Sequence, residues 1–260
     1  SYYGNCLMKS QQASPPRKDI EHVYDLYSNG QFKNAVEAIK IINEKFPNQP
    51  LLFNLIGACY KELGEINGAA KMFEMAISIS PKYAEAHFNL GVIFQDIGNK
   101  DDAIDSYKKA ISINPNYPDA HNNLGNIFLD TGKFNNAIDS LERAIAYKHD
   151  FAEAYNNLGS ALNAVGSEQD AIKNFNKAIK LRPDFANAYF NLALTYKDLG
   201  RKEDFLLNIK KTLNIRPNWG AAYFHLSQVI NYKNDDNKII EMLAILKKKN
   251  LDFTDRTNLN

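Results

Sequence analysis

The chain has 260 residues, 45% of them hydrophobic and 23% charged, so it carries enough apolar material for a core and is too apolar to be a disordered chain. Lys+Arg 31 against Asp+Glu 30 leaves a net charge of +1, which supplies no basic field for a nucleic acid backbone or an anionic membrane. No apolar run approaches the roughly 18 residues of a membrane span, and the first sixteen residues have neither a signal core nor a transit-peptide pattern. Two cysteines, Cys6 and Cys59, and no Asn-x-Ser/Thr sequon point to the cytoplasm. The chain lacks an initiator Met and ends inside an unfinished pattern, as a piece of a longer polypeptide would.

Residues 1–15 carry no periodicity and are expected to be an N-terminal tail. From Pro16 onward glycine recurs at 30, 64, 98, 132, 166 and 200, always 34 apart. The same interval carries Ala35, Ala69, Ala103, Ala137 and Ala171, then Gly57, Gly91, Gly125 and Gly159, and prolines at 47, 81, 115, 183 and 217. Between glycines the apolar residues keep helical spacing, as in Ala86, Leu90, Ile93 and Phe94, followed by Ala103, Ile104, Tyr107, Ala110 and Ile111. Each unit is therefore a helix pair. Gly98 and its equivalents stop the first helix in a left-handed conformation, and acids such as Asp101, Asp102, Glu203 and Asp204 favour the next helix start. Gly91 and the small-residue columns let two helix axes approach, with Phe73, Tyr107 and Phe175 beside them. Tyr83, Tyr117, Phe151, Phe185 and Trp219 follow the proline turns as wedges.

Segments such as AEAHFNLGVIFQDIGNKDDAIDSYKKAISINPNY resemble the tetratricopeptide repeat. The resemblance covers six units, 16–49, 50–83, 84–117, 118–151, 152–185 and 186–219, followed by a degenerate seventh unit and cap or connector over 220–260. It implies an all-α fold, a right-handed α-solenoid in which stacked hairpins share one continuous core. The pattern is broken where His149 stands for proline, a loss of rigidity in one turn with little change expected, and in the sixth unit, where Ala193, Phe205 and Thr212 stand for glycine and two alanines and helix separation is expected to widen. The seventh unit has Asn234 for glycine and Ile239 for alanine.

Catalytic signatures are absent: there is no phosphate-binding glycine loop, no His-Glu-x-x-His and no Cys-x-x-Cys, so the chain is read as not an enzyme and as needing no cofactor or metal. Cys59 lies in LLFNLIGACY and is expected to be a buried packing thiol. His87 and His121 stand one repeat apart, about 10 Å, too far to share a metal, and are read as packed ring substitutes. Lys247 to Lys249 suit a helix C-terminus.

One column points to function. Asn89, Asn123, Asn157 and Asn191, with Asn122 and Asn156 beside them, recur on the first helix of each pair, the helix that lines the groove of a solenoid. An amide donates and accepts at once, so it can hold a peptide backbone whatever the side chains. Rungs about 10 Å apart would meet roughly every third residue of an extended chain. The resemblance extends to the repeats of O-linked sugar transferases, which use an asparagine ladder to hold extended substrate. Glu85, Asp96, Asp119, Asp130 and Glu153 make the centre acidic, with Lys61 and Lys197 towards the ends, favouring a neutral or basic partner. Ile20, Asn54, Phe88 and Asn122, or Leu51, Glu85 and Asp119, occupy the places of the lysines and arginines that clamp chaperone tails, so that clamp is missing. Phe88, Phe190 and Phe224 are candidates for apolar sub-pockets, and the groove is also open to the chain's own tail through Tyr2 and Tyr3.

The reading favoured is a non-catalytic protein–protein interaction scaffold that binds an extended peptide, with no nucleic acid or membrane partner. The alternative is the N-terminal recognition region of a larger transferase, a sulfotransferase or glycosyltransferase, because YFHLSQVINYKNDDNKIIEMLAILKKKNLDFTDRTNLN resembles the connector of bacterial repeat-containing sulfotransferases. A third reading is a homo-oligomer joined through the terminal repeat.

Overall fold

The computed structural model describes residues 14–229, and among them every regular element is an α-helix. The chain divides into two compact units, 1–120 and 121–260. The first contains α1 (Arg17–Ser28), α2 (Phe32–Lys45), α3 (Pro50–Glu62), α4 (Ile66–Ile79), α5 (Ala84–Asp96) and α6 (Lys100–Ile113). α7 (Pro118–Asp130) begins at the end of the first unit. The second continues with α8 (Phe134–Tyr147), α9 (Ala152–Ala164), α10 (Glu168–Leu181), α11 (Ala186–Asp198), α12 (Lys202–Ile215) and α13 (Gly220–Val229). Within each unit consecutive helices pack as antiparallel-type hairpins, α3 with α4, α5 with α6, α9 with α10 and α11 with α12.

Each hairpin turn follows from one conformational demand. At Gly98 the backbone turns left-handed, φ +79°, and the Gly98 and Asn99 amides donate back to Gln95 O and Phe94 O at 3.0 and 2.8 Å. A side chain there would meet nothing within 4 Å, so glycine is required for its backbone freedom rather than for space. Asn99 then caps α6, its side chain accepting from the Asp102 amide, with Asp101 and Asp102 in the first turn.

Gly91 is glycine for the opposite reason. Its φ is ordinary, but a Cβ would stand 2.8 Å from the Tyr107 ring. The small column faces the large one, and Tyr107, Phe73 and Phe175 are fully enclosed. In the first unit Val23, Ala35, Ile39, Leu52 and Cys59 share one cluster, and Ala69, Phe73, Leu90 and Ile93 another. In the second, Ala171, Ile172, Phe175 and Leu192 lead to the cluster of Ala193, Phe205, Ile209, Leu213, Ala222 and Leu226.

The residues that depart from the pattern in the sixth unit lie in its core. Ala193, Phe205 and Thr212 are all fully buried, and the Thr212 hydroxyl donates to Asn208 O at 3.0 Å. At His149 the turn still closes, the Phe151 amide donating to Lys148 O at 3.3 Å. Asn234, Ile239, Tyr2, Tyr3, Cys6, Lys247 to Lys249 and the connector-like segment from 230 to 260 lie outside the described residues.

Candidate functional site

The first helices of successive hairpins touch one another, α3 with α5 and α9 with α11. Their shared faces bring the asparagines together in a repeating link. Asn89 Nδ2 donates to Asn54 Oδ1 at 3.0 Å, Asn157 Nδ2 to Asn122 Oδ1 at 3.2 Å, and Asn191 Nδ2 to Asn156 Oδ1 at 3.0 Å. Every link joins residues 35 apart, one repeat plus one residue. The inner members Asn54, Asn122 and Asn156 are buried, and Asn89, Asn123, Asn157 and Asn191 are half-buried.

These amides are not idle donors awaiting a ligand, as the sequence column alone suggests. Asn122 Nδ2 donates to Asn123 Oδ1 and Asn156 Nδ2 to Asn157 Oδ1, both at 3.3 Å, and Asn191 Nδ2 also reaches the Ser160 hydroxyl. The donors turn inward because a buried amide without a partner costs about 1–3 kcal/mol, and the preceding first helix supplies the acceptor. Each amide carbonyl has two lone pairs, and those of Asn123 and Asn157 accept one bond each from their chain neighbour. The arrangement is thus a set of amides tied to one another across neighbouring helices. Asn54, which sequence reasoning placed only among the missing clamp positions, belongs to this network. Its signal was present in the column 54, 122 and 156, interrupted by Phe88.

The acids differ in their surroundings. Glu85 accepts from Asn54 Nδ2 at 3.1 Å, and the Tyr83 hydroxyl lies 3.4 Å from its other oxygen. Burial, then the negative charge of Glu85, pushes the Tyr83 phenol far above its usual range; Tyr117 is raised likewise by burial, Glu85 and Asp119. Glu153, the counterpart of Glu85, is instead ion-paired with Arg182. Partial burial works to raise its carboxyl, but the Arg182 hydrogen bond and charge outweigh this and hold it below the usual range. The charge of Glu153 is thus balanced within the chain by Arg182. Asp96, Asp119 and Asp130 are exposed. At the other end Lys197 Nζ donates to Gln228 Oε1 at 2.6 Å and stands 3.2 Å from His225 Nδ1.

The aromatic candidates are mostly engaged with one another. The Phe88 ring lies 4.9 Å from Tyr117 and 5.7 Å from Tyr107, and Phe190 lies 4.5 Å from Trp219. Phe224 remains 46% exposed. His121 is buried against Tyr147, whereas His87 Nε2 lies 3.0 Å from Pro81 O. Cys59 is fully buried, and burial pushes its thiol up to about 11. Among the described residues no group of His, Cys, Asp and Glu is placed to hold a metal, and no helix is long and apolar enough to cross a membrane.

The hairpins, the glycine turns and the small-against-large packing define a helical-repeat protein. The family description "TPR repeat" matches residues 57–98, 96–132, 125–166 and 164–200, and "Tetratricopeptide repeat" matches 186–218. Together these span more than half of the chain, which belongs to the tetratricopeptide repeat family. Among solved structures it is similar to MamA, at 30% identity and TM-score 0.58, over 62% of this chain and 95% of that one. It has the fold of YrrB, described as a TPR protein with an unusual peptide-binding site, at 20% identity and TM-score 0.63, over 74% of this chain and 99% of that one. It is also 32% identical over 57 residues to anaphase-promoting complex subunit 3 of Dictyostelium discoideum. That match takes in 22% of this chain and 6% of the relative's length.

Proposed function

We propose that this chain is a non-catalytic scaffold that binds an extended, neutral or basic peptide segment along its first-helix face. In the second unit the contacts come from Asn122, Asn123, Asn156, Asn157 and Asn191; in the first they come from Asn89, with Glu85 and Asp119 supplying negative charge. The observation that carries this reading is the recurring 35-residue asparagine link, Asn89 to Asn54, Asn157 to Asn122 and Asn191 to Asn156. It fixes Asn89, Asn157 and Asn191 by their nitrogens, so that oxygen is the atom each offers a ligand, and within a unit successive rungs stand ~10 Å apart, one helix diameter. An extended peptide rises about 3.3 Å per residue, so its N–H groups meet a rung roughly every third residue. The family, and a fold shared with a protein described as having a peptide-binding site, support the same reading.

Because the acceptors address backbone, the ladder's share of the affinity is insensitive to peptide sequence. Changing Asn123 and Asn157 together to Ala should weaken a panel of unrelated extended peptides by a common factor of roughly ten, the loss of two neutral hydrogen bonds. Fluorescence anisotropy reads this directly; unchanged affinities, in protein whose circular dichroism is intact, would refute the ladder.

A further inference from the structure

The residue three before each aromatic wedge differs between the two units. In the second unit it is a cation lying over the ring: Lys148 over Phe151 at 4.4 Å, Arg182 over Phe185 at 4.7 Å and Arg216 over Trp219 at 4.8 Å. Arg182 does two things at once, since its guanidinium also pairs with Glu153 of α9. Moved two repeats back, the same three positions are Asn114, Tyr117 and Glu85. The ring and the acid are kept, and the cation is replaced by a short neutral amide.

The surroundings in the first unit suit a cation that comes from elsewhere. The Tyr117 ring is braced by Phe88 at 4.9 Å. Glu85 is oriented by Asn54 Nδ2, at 3.1 Å, and by the Tyr83 hydroxyl, at 3.4 Å. Both Glu85 and the exposed Asp119 act on the Tyr117 phenol, raising its pKa after burial has done so. Among the described residues no lysine or arginine lies over Tyr117 or pairs with Glu85. The Asn114 side chain instead accepts from the Asn116 amide at 3.2 Å.

We propose that Glu85 and Tyr117 form a receptor subsite for an arginine side chain of the bound peptide, taking in trans the place that Arg182 takes in cis between Glu153 and Phe185. The guanidinium stacks on the Tyr117 face while its N–H groups donate to the Glu85 carboxylate, the two contacts arginine makes better than lysine. This deepens the peptide-scaffold reading and rests on it: it names the side chain that adds affinity at one point of the segment, beside the sequence-independent backbone contacts.

The test uses the full chain with ring-labelled tyrosine and two small probes, N-acetyl-arginine amide and its uncharged citrulline counterpart. Arginine should shift the Tyr117 ring resonance saturably, assigned through Tyr117→Phe, and citrulline should do so with at least about tenfold weaker affinity. Glu85→Gln should remove the difference. Asn114→Arg should rebuild the internal arrangement of Arg182, move the Tyr117 resonance without any probe and abolish the response to arginine; this variant removes no buried group, so it keeps the test sharp if the Glu85→Gln protein folds poorly. Equal responses to both probes, or an arginine response unaltered in both variants, would overturn the subsite. Two peptides differing only in arginine or citrulline separate this from the wider reading. Equal binding of both overturns the subsite and leaves the scaffold standing, whereas binding of neither, with the Tyr117 response to arginine intact, overturns the scaffold and leaves the subsite.

Discussion

Gly91 and Gly98 are seven residues apart and resist substitution for unrelated reasons. Alanine at 91 drives a methyl to 2.8 Å from the enclosed Tyr107 ring and 3.2 Å from Ser106 Cβ, an overpacking expected to cost about 1–3 kcal/mol. Alanine at 98 meets nothing within 4 Å but must hold φ +79°, at about 1–2 kcal/mol. Urea midpoints separate the causes: asparagine, which tolerates left-handed backbone, should recover part of the loss at 98 and none at 91. Equal behaviour at the two sites would remove the distinction. The Cys59 thiol, buried and pushed up to about 11, should stay protonated at pH 8. In a Cys6→Ser background a thiol reagent should therefore label native protein only as fast as it unfolds, and rapid stoichiometric labelling would contradict the buried environment.

Within each unit the asparagine pairs tie a first helix to the one before it, Asn89 to Asn54, Asn157 to Asn122 and Asn191 to Asn156. Asn156 is buried and bonds to Asn157 and Asn191, whereas Asn191 is half-buried. Asn156→Ala should destabilise more than Asn191→Ala, and the double variant should cost less than the sum, with a coupling of about 0.5–1.5 kcal/mol. Strict additivity in denaturant melts would mean the link holds nothing together. The hairpins themselves were legible because glycines 34 apart and their Ala and Pro companions are local demands of turns and close packing. The amide network was not, because the bond runs from 157 to 122, an offset of 35 that emerges only when two helices are laid side by side. The same holds for Glu153 and Arg182, 29 residues apart: the acid column was readable, but its partner sits at the far end of the same hairpin, beyond the Gly166 turn.

At the scale of the molecule, burial of ionisable groups fixes how the chain responds to base. Cys59, Tyr83 and Tyr117 all have raised pKa values through burial, joined at the two phenols by Glu85. Free thiols and phenols titrate near about 8.5 and 10. Below about pH 8 both folded and unfolded chains keep these protons and the groups contribute nothing to pH dependence. Above about pH 9 the unfolded chain releases protons that the native one retains, so stability falls as pH rises. Urea midpoints at pH 8 and pH 10 should differ accordingly, and Tyr83→Phe with Tyr117→Phe should shrink the difference; a midpoint that rises with pH would contradict the burial.

The central claim is that the outer asparagines present oxygens to the backbone N–H groups of an extended ligand. It is tested most directly by methylating the backbone nitrogens of a bound peptide one at a time and measuring each affinity. Losses of roughly threefold, one hydrogen bond each, should recur about every third residue, and those facing Asn123 and Asn157 should vanish in the Asn123→Ala, Asn157→Ala protein. Affinities indifferent to methylation at every position, or a set of losses wholly unchanged in that variant, would contradict it.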